Sequence, residues 1–366
     1  MVLPLIFIFF PSFRGRWYAL KKMISQRKRE WLNGIPAAVI FAVSGGLYGR
    51  IARARITDKK PSGKVQRTMS KVMKMQEAIS RFVQSGDILF LSGMQHGEPS
   101  AAVHEIVRQK IDHLTLVSAL TATSNLLLGE GLLDKVVSGY FNQDLRSYVV
   151  HKAKEMGRFP VFEEVSHFGL SMALMAGQMG VPFLPIKSQI ASDMPKYNRN
   201  ITTMQCPFTG ETIGAIRAIN PDVGIIHVQR ADADGNAQKW GTMGVDAEGI
   251  NASRRVIVTT EKIVDADVIR RDPNRTIIPA FRVSAVVEQP FGAHPMHLAG
   301  CYSGDMWGYY ADTGPQESYE TYVEKLVYGV KDWDEYLKKR AAMKPAGYFQ
   351  NFAIKPVKSE PVTSGF

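Results

Sequence analysis

Cysteine is scarce: Cys206 and Cys301 are the only two in 366 residues, and they form no C-x-x-C pair. That excludes a disulfide framework and a thiolate zinc cluster, and it points to a reducing compartment, the cytoplasm. G-x-G-x-x-G, G-x-x-x-x-G-K-[ST] and G-x-S-x-G are also absent. A dinucleotide fingerprint, a P-loop and a nucleophile elbow are therefore unsupported.

An excess of charge of one sign is missing from most of the chain, although the formal net charge is +11. Of the 45 Lys and Arg, 14 lie in residues 1–68, beside only Glu30 and Asp58. This leaves 31 bases against 32 acids in the other 298 residues, a balance that excludes nucleic acid as the main partner. The leader opens on the apolar run Met1–Phe10 with no base before it, the reverse of a secretory signal. Its uncharged stretch Trp31–Gly49 is broken by Asn33, Pro36 and four glycines, so no membrane span is expected. Residues 1–68 read as a basic extension that the native product need not contain, 69–340 as one domain, and 341–366 as a surface tail.

The body alternates short apolar runs with helical periodicity. Val72, Met75, Ile79 and Phe82 recur at steps of 3, 4 and 3, and Gly86 ends that helix. Asp87–Leu91 is a strand apolar enough to be buried on both faces, and Pro99 opens a helix to about Lys110. His113–Ser118, Lys135–Tyr140, Pro182–Ile186, Val223–Gln229, Arg255–Thr260 and Arg282–Glu288 read as further strands, with a helix expected over Glu163–Met179. The pattern predicts an α/β fold: a mainly parallel sheet flanked by helices on both faces. Tyr319, Tyr322, Val323, Leu326, Val327, Trp333 and Tyr336 predict packing helices near the end.

In such a sheet, ligands bind beyond the carboxyl ends of the strands, so the loops there are the candidates. Ser92–Pro99 carries Gly93 and His96, and its glycines let backbone amides approach an anion. Ser118, Thr121, Thr123 and Ser124 offer hydroxyl donors, or caps for the next helix. His167 sits at a helix start, and Gly292 and His294 lie in a glycine-bounded loop. His294, His297, Cys301 and Asp305 have metal-like spacing, but Pro295 and Gly300 prevent one helix from presenting them, and no metal is assigned.

Taken in order, Met69–Met73, Ser85–Asp87 with the Gly93 loop, Gly180–Pro185, Asp222–His227 and Gly235–Asn236 resemble the α subunit of class I CoA-transferases, the glutaconate CoA-transferase type in particular. Arg270–Pro273, Pro290–Pro295 and Lys331–Leu337 extend the resemblance over nearly all of 69–340. It implies the NagB/RpiA/CoA-transferase-like fold and transfer of CoA from an acyl-CoA to a carboxylic acid through a glutamyl-CoA thioester. In two-chain members that glutamate belongs to the β subunit, and this chain has no Ser-Glu-Asn-Gly segment. The implied partners are a β subunit, an acyl-CoA and a small carboxylic acid, with coenzyme A as substrate and no permanently bound cofactor. No catalytic residue is then expected in this chain. Its contribution is one wall of a shared pocket, with Gly93, His96, Ser118, Ser124, His167, Gly292 and His294 lining it. Glu98, Glu130 and Glu164 are weighed as nucleophiles, and Lys187, Lys196 and Arg199 as bases for the CoA phosphates. A thioester or carbon–carbon hydrolase with His167 as base, and a non-catalytic membrane-tethered subunit, are the competing readings.

Overall fold

A strand that meets no water on either face can be apolar throughout, and β1, Ile88–Leu91, is. The computed structural model describes residues 70–140 and 147–354; the expected extension 1–68 and the last part of the tail lie outside the described residues. The helix Met75–Phe82 precedes β1, and then the helix Ser100–Arg108 leads to β2 (Leu114–Ser118), and the turn of helix Asn125–Gly129 to β3 (Leu133–Ser138). The helix Tyr148–Glu155, β4 (Val161–Glu164) and the helix His167–Met179 follow. Next come β5 (Phe183–Ile186), β6 (Ile201–Gln205), β7 (Thr212–Arg217), β8 (Val223–Val228), β9 (Arg230–Ala231) and β10 (Ala237–Gln238). The helix Asp246–Ala252, β11 (Arg255–Thr260), β12 (Thr276–Ile278) and β13 (Ala285–Glu288) precede four closing helices, Met306–Thr313, Gln316–Tyr322, Trp333–Ala342 and Tyr348–Phe352.

Seven strands form one parallel sheet in the order β13-β11-β8-β1-β2-β3-β4. Alternate side chains feed opposite layers. Leu89, Leu91, Leu114, Leu116 and Ile225 enter one core with the helices Met75–Phe82 and Ser100–Arg108 and the aromatics Tyr319, Tyr322, Trp333 and Tyr336. Phe90 and Val117 point the other way, into a core with Leu170, Ala173 and Leu174. Ile226, Val228, Val256 and Val258 pack a third cluster with Ala237 and Ile278 of the small β12-β10-β9 sheet.

The chain runs outward from β1 to β4, then returns to β8 on the other side of β1 and runs outward again to β13. The strand order therefore reverses between β1 and β8, the position at which open α/β sheets hold ligands.

Four expectations need correction. Glu163 and Glu164 belong to β4, not to a helix: pairing Lys135 with Val161 and Ser138 with Glu164 overrides their helical preference. The helix starts at His167, where Ser166 Oγ accepts the Gly169 amide at 3.0 Å. β5 joins β6 and β7 in a separate antiparallel sheet, not the main one. Val72 is not on the first helix; it bridges Val286 beside β13. The expected surface tail is partly built into the fold: one helix runs to Ala342, and another places the Tyr348 hydroxyl 3.3 Å from His294 Nε2.

Gly249 lies against Phe90, and an added Cβ would stand 2.1 Å from the ring. Gly249→Ala is expected to destabilise by about 1–3 kcal/mol, measured by urea denaturation, with partial recovery when Phe90→Leu makes room.

Candidate functional site at the strand switch point

The loop after β1, Ser92–Pro99, is held at four places. The Gly93 amide donates to Asp246 Oδ1 at 2.7 Å, and Asp246 Oδ2 takes the Lys239 ammonium at 2.5 Å. Both charged side chains are fully buried. Burial pushes the Asp246 carboxyl upward, and Lys239 pulls it back. Lys239 also reaches the Gly97 carbonyl at 3.4 Å. Gly93 has φ +110, and a Cβ there would lie 2.6 Å from Glu98 Cγ, so both backbone and space demand glycine.

His96 is the second anchor. The Ala299 amide donates to its Nε2 at 3.0 Å, so that nitrogen carries the lone pair and Nδ1–H donates to the Thr242 carbonyl at 2.8 Å. Burial, with the charges of Lys239 and His297 adding, pushes its pKa down to about 4. The ring is a neutral peg joining three loops, and it sits 4.9 Å from the ring of exposed His297.

Glu98 is the third. Its carboxylate is completely buried and accepts the amides of Ala122 and Thr123 at 3.0 Å and the Thr123 hydroxyl at 2.9 Å. At the tips, Met94 bridges Leu120 and the Gln95 amide donates to the Leu120 carbonyl at 3.1 Å. The loops after β1 and β2 thus form one wall. The fourth anchor ties that wall to the far side of the sheet: the Gly97 amide donates to the His297 carbonyl at 2.8 Å and the Ala101 amide to the Gly292 carbonyl at 3.0 Å.

Ser118 ends β2, and Ser124 exchanges bonds with Thr121 at 2.8 and 2.9 Å at the mouth of its helix. His167 is half-buried and donates Nε2–H to the Ala119 carbonyl at 3.1 Å, beside this wall. Gly292 packs against His227, which bonds Thr259 Oγ1 and Glu261 Oε1, each at 2.8 Å. His294 stands apart from the loop tips. It is buried among Tyr336, Tyr348 and Phe349, with the Tyr336 and Tyr348 hydroxyls at 3.0 and 3.3 Å, and burial then Arg340 push its pKa down to about 3. Five expected residues therefore gather at the wall, Gly292 is tied to it through the Ala101 amide, and His294 is not part of it.

Glu130 is taken up by Lys152 at 2.9 Å and by the hydroxyls of Tyr319 and Tyr328. Glu164 and Arg199 line a cleft of about 900 Å³ beside β4, while Lys187 and Lys196 pair with Glu211 and Asp193. Lys239, Asp246, His227 and Glu261 escaped the sequence reading. Nothing local marks them, because their partners lie on strands and loops that only the sheet order brings together. Among the described residues no group of three His, Cys, Asp or Glu is arranged to hold a metal ion, and no helix is long and apolar enough to cross a membrane.

Residues 72–289 match the family model described as Coenzyme A transferase. The chain is 36% identical over 281 residues to the A subunit of 3-oxoadipate CoA-transferase from Pseudomonas knackmussii, covering 75% of this chain and 99% of the relative. It is 33% identical over 304 residues to the A subunit of glutaconate CoA-transferase from Acidaminococcus fermentans, covering 75% and 93%. The crystal structure of glutaconate CoA-transferase from the same Acidaminococcus species superposes with a TM-score of 0.70 at 31% identity, over 78% of this chain and 96% of that one.

Two outcomes test the anchors. Lys239→Ala leaves Asp246 buried without its partner and is expected to cost about 3–5 kcal/mol in urea denaturation, much of it recovered in Lys239→Met/Asp246→Leu. The second concerns pH. His96 and His294 stay neutral in the folded chain down to about 4 and about 3, whereas the unfolded imidazoles protonate near 6.5. Their stabilisation is complete above pH 6.5 and is lost progressively as the pH falls toward 4, so the urea midpoint should drop across that window. His96→Gln should flatten the drop.

Proposed function

The chain belongs to the coenzyme A transferase family, and on that premise we propose that it is the α chain of a two-chain enzyme that moves CoA from an acyl-CoA to a free carboxylic acid. The observation that carries this reading is the likeness to one named subunit of a 3-oxoadipate CoA-transferase along 99% of that relative's length. The domain is proposed to open at Met69, just before the matched segment.

The nucleophile belongs to the partner. Its glutamate attacks the thioester carbonyl, the carbon–sulfur bond breaks, and an acyl-glutamyl anhydride forms as CoA leaves as the thiolate. The thiolate attacks the glutamyl carbonyl of the anhydride, which expels the first acid and leaves glutamyl-CoA. The incoming acid attacks this thioester to form a second anhydride, and the freed thiolate takes its acyl group and regenerates the glutamate. Each attack develops an oxyanion, which rigid amide donors stabilise.

This chain supplies the wall opposite that glutamate. Gly93 with its loop, Ser118 and Ser124 shape it, His96 pegs it, His167 borders it, and Gly292 braces it, while His294 packs away from it. The state of the three glutamates supports a nucleophile from elsewhere: Glu98 is sealed from solvent, Glu130 is tied to Lys152, and Glu164 sits beside the lateral cleft. The names of the two relatives suggest a short dicarboxylic acid as acceptor.

The test is to co-purify the chain with a β-like partner and supply an acyl-CoA with and without dicarboxylic acids. Appearance of a new acyl-CoA that depends on the acid, with hydroxylamine trapping a partner glutamate, is expected. CoA release that needs no acid would reject transfer, and full turnover by the isolated chain would reject the shared site.

A further inference from the structure

Most of the charged groups buried in this fold have an opposite charge beside them: Asp246 has Lys239, Arg340 has Asp312, Glu105 has Arg108 and Asp87 has Arg255. Asp232 has none and is held by donors of its own turn, Gly235 and Asn236. Glu98 has none either, and its donors belong to a different loop. Among the described residues no Lys, Arg or His lies within ion-pair distance of its carboxylate, which two amides and a hydroxyl hold instead. Burial pushes its pKa upward, and those hydrogen bonds only oppose the push. A carboxylate without a counter-charge in a dry interior carries a desolvation cost that its hydrogen bonds must offset. A residue kept at that cost points to a task beyond packing.

Its position indicates the task. Glu98 belongs to the loop after β1, and its Cγ fills the space next to Gly93. Its oxygens turn the Ala122 and Thr123 amides of the loop after β2 inward. Between these two grips lie the half-exposed tips, Met94 and Gln95 on one loop and Leu120 on the other, already bridged to each other. We propose that Glu98 is a positioning residue for CoA transfer: by holding the Ala122 and Thr123 amides it fixes one geometry for the Met94–Gln95 and Leu120 tips, the surface that the reacting acyl group meets. The proposal rests on the transferase reading above. Glu98 acts through the loops and does not itself touch the reacting atoms.

The test uses the chain co-purified with its partner and carrying Glu98→Gln, Glu98→Leu or Glu98→Asp. Gln presents an NH₂ where an acceptor is required, Leu removes the acceptors, and Asp is one methylene too short to reach. In all three, kcat is expected to fall about tenfold or more while KM for acyl-CoA changes by less than about twofold. The thermal midpoint of the Gln variant, which loses the buried charge and keeps one acceptor oxygen, should stay level or rise, whereas Leu, which orphans the two amides, should lower it. Hydrogen exchange should quicken in segments 92–98 and 119–125 and nowhere else. A midpoint that falls together with kcat in the Gln variant would reduce Glu98 to a structural role and overturn the proposal, as would wild-type kcat or unchanged exchange in 119–125. If the wild-type pair moves no CoA at all, the transferase reading is what fails, and the exchange pattern still decides whether Glu98 holds the loops.

Discussion

Three desolvated charges hold the switch point together. The Lys239–Asp246 pair grips the loop after β1 from the side of the returning chain, and Glu98 grips the loop after β2 from within the first. All three side chains are cut off from water, so each bond they make acts in a medium of low dielectric and is strong, directional and costly to break. Glycine at position 93 and the neutral His96 peg make sense only in this frame: one leaves room for Glu98, and the other bridges loops without bringing in a further charge.

This arrangement separates two demands that usually conflict. The seven-stranded sheet and its aromatic layer, with Tyr319, Tyr322, Trp333 and Tyr336 buried beneath the helices, supply stability from apolar burial. The loops above the strand ends contribute little apolar burial and rely on polar bonds for their shape. An isolated carboxylate such as Glu98 is tolerable because the sheet below carries the surplus. A wall held by bonds of this kind keeps one shape, because moving either loop would strand a buried charge or amide.

Much of the fold was legible in the sequence where the signal is local. The strands at Ile88, Leu114, Val223 and Arg255 announce themselves as apolar runs of strand length between glycines and polar turns. The break at Gly93 is legible as a loop because glycine follows a strand and precedes a helix. The resemblance of the segments from Met69 to Leu337 pointed to the family that the chain matches. β4 was not legible: Val161-Phe-Glu-Glu164 carries two good helix formers and becomes a strand only because β3 offers an edge. β6 was not legible either, since Thr202, Thr203 and Gln205 face solvent and leave no apolar alternation to find.

Taken alone, the amino-acid order determined the alternating elements, the glycine loops and the near-neutral body. Each follows from the periodicity of neighbouring residues or from glycine's freedom at positive φ, and neither needs a distant partner. Only the tertiary structure decided that Asp246 meets Gly93, that Glu98 meets Ala122 and Thr123, and that His294 is spent on Tyr336 and Tyr348. Those partners are far apart in the chain and come together because parallel strands return to the same edge through long crossovers. Whether a charge there is buried, and therefore whether it governs a loop, is a property of the packing around it and is written in no single stretch of sequence.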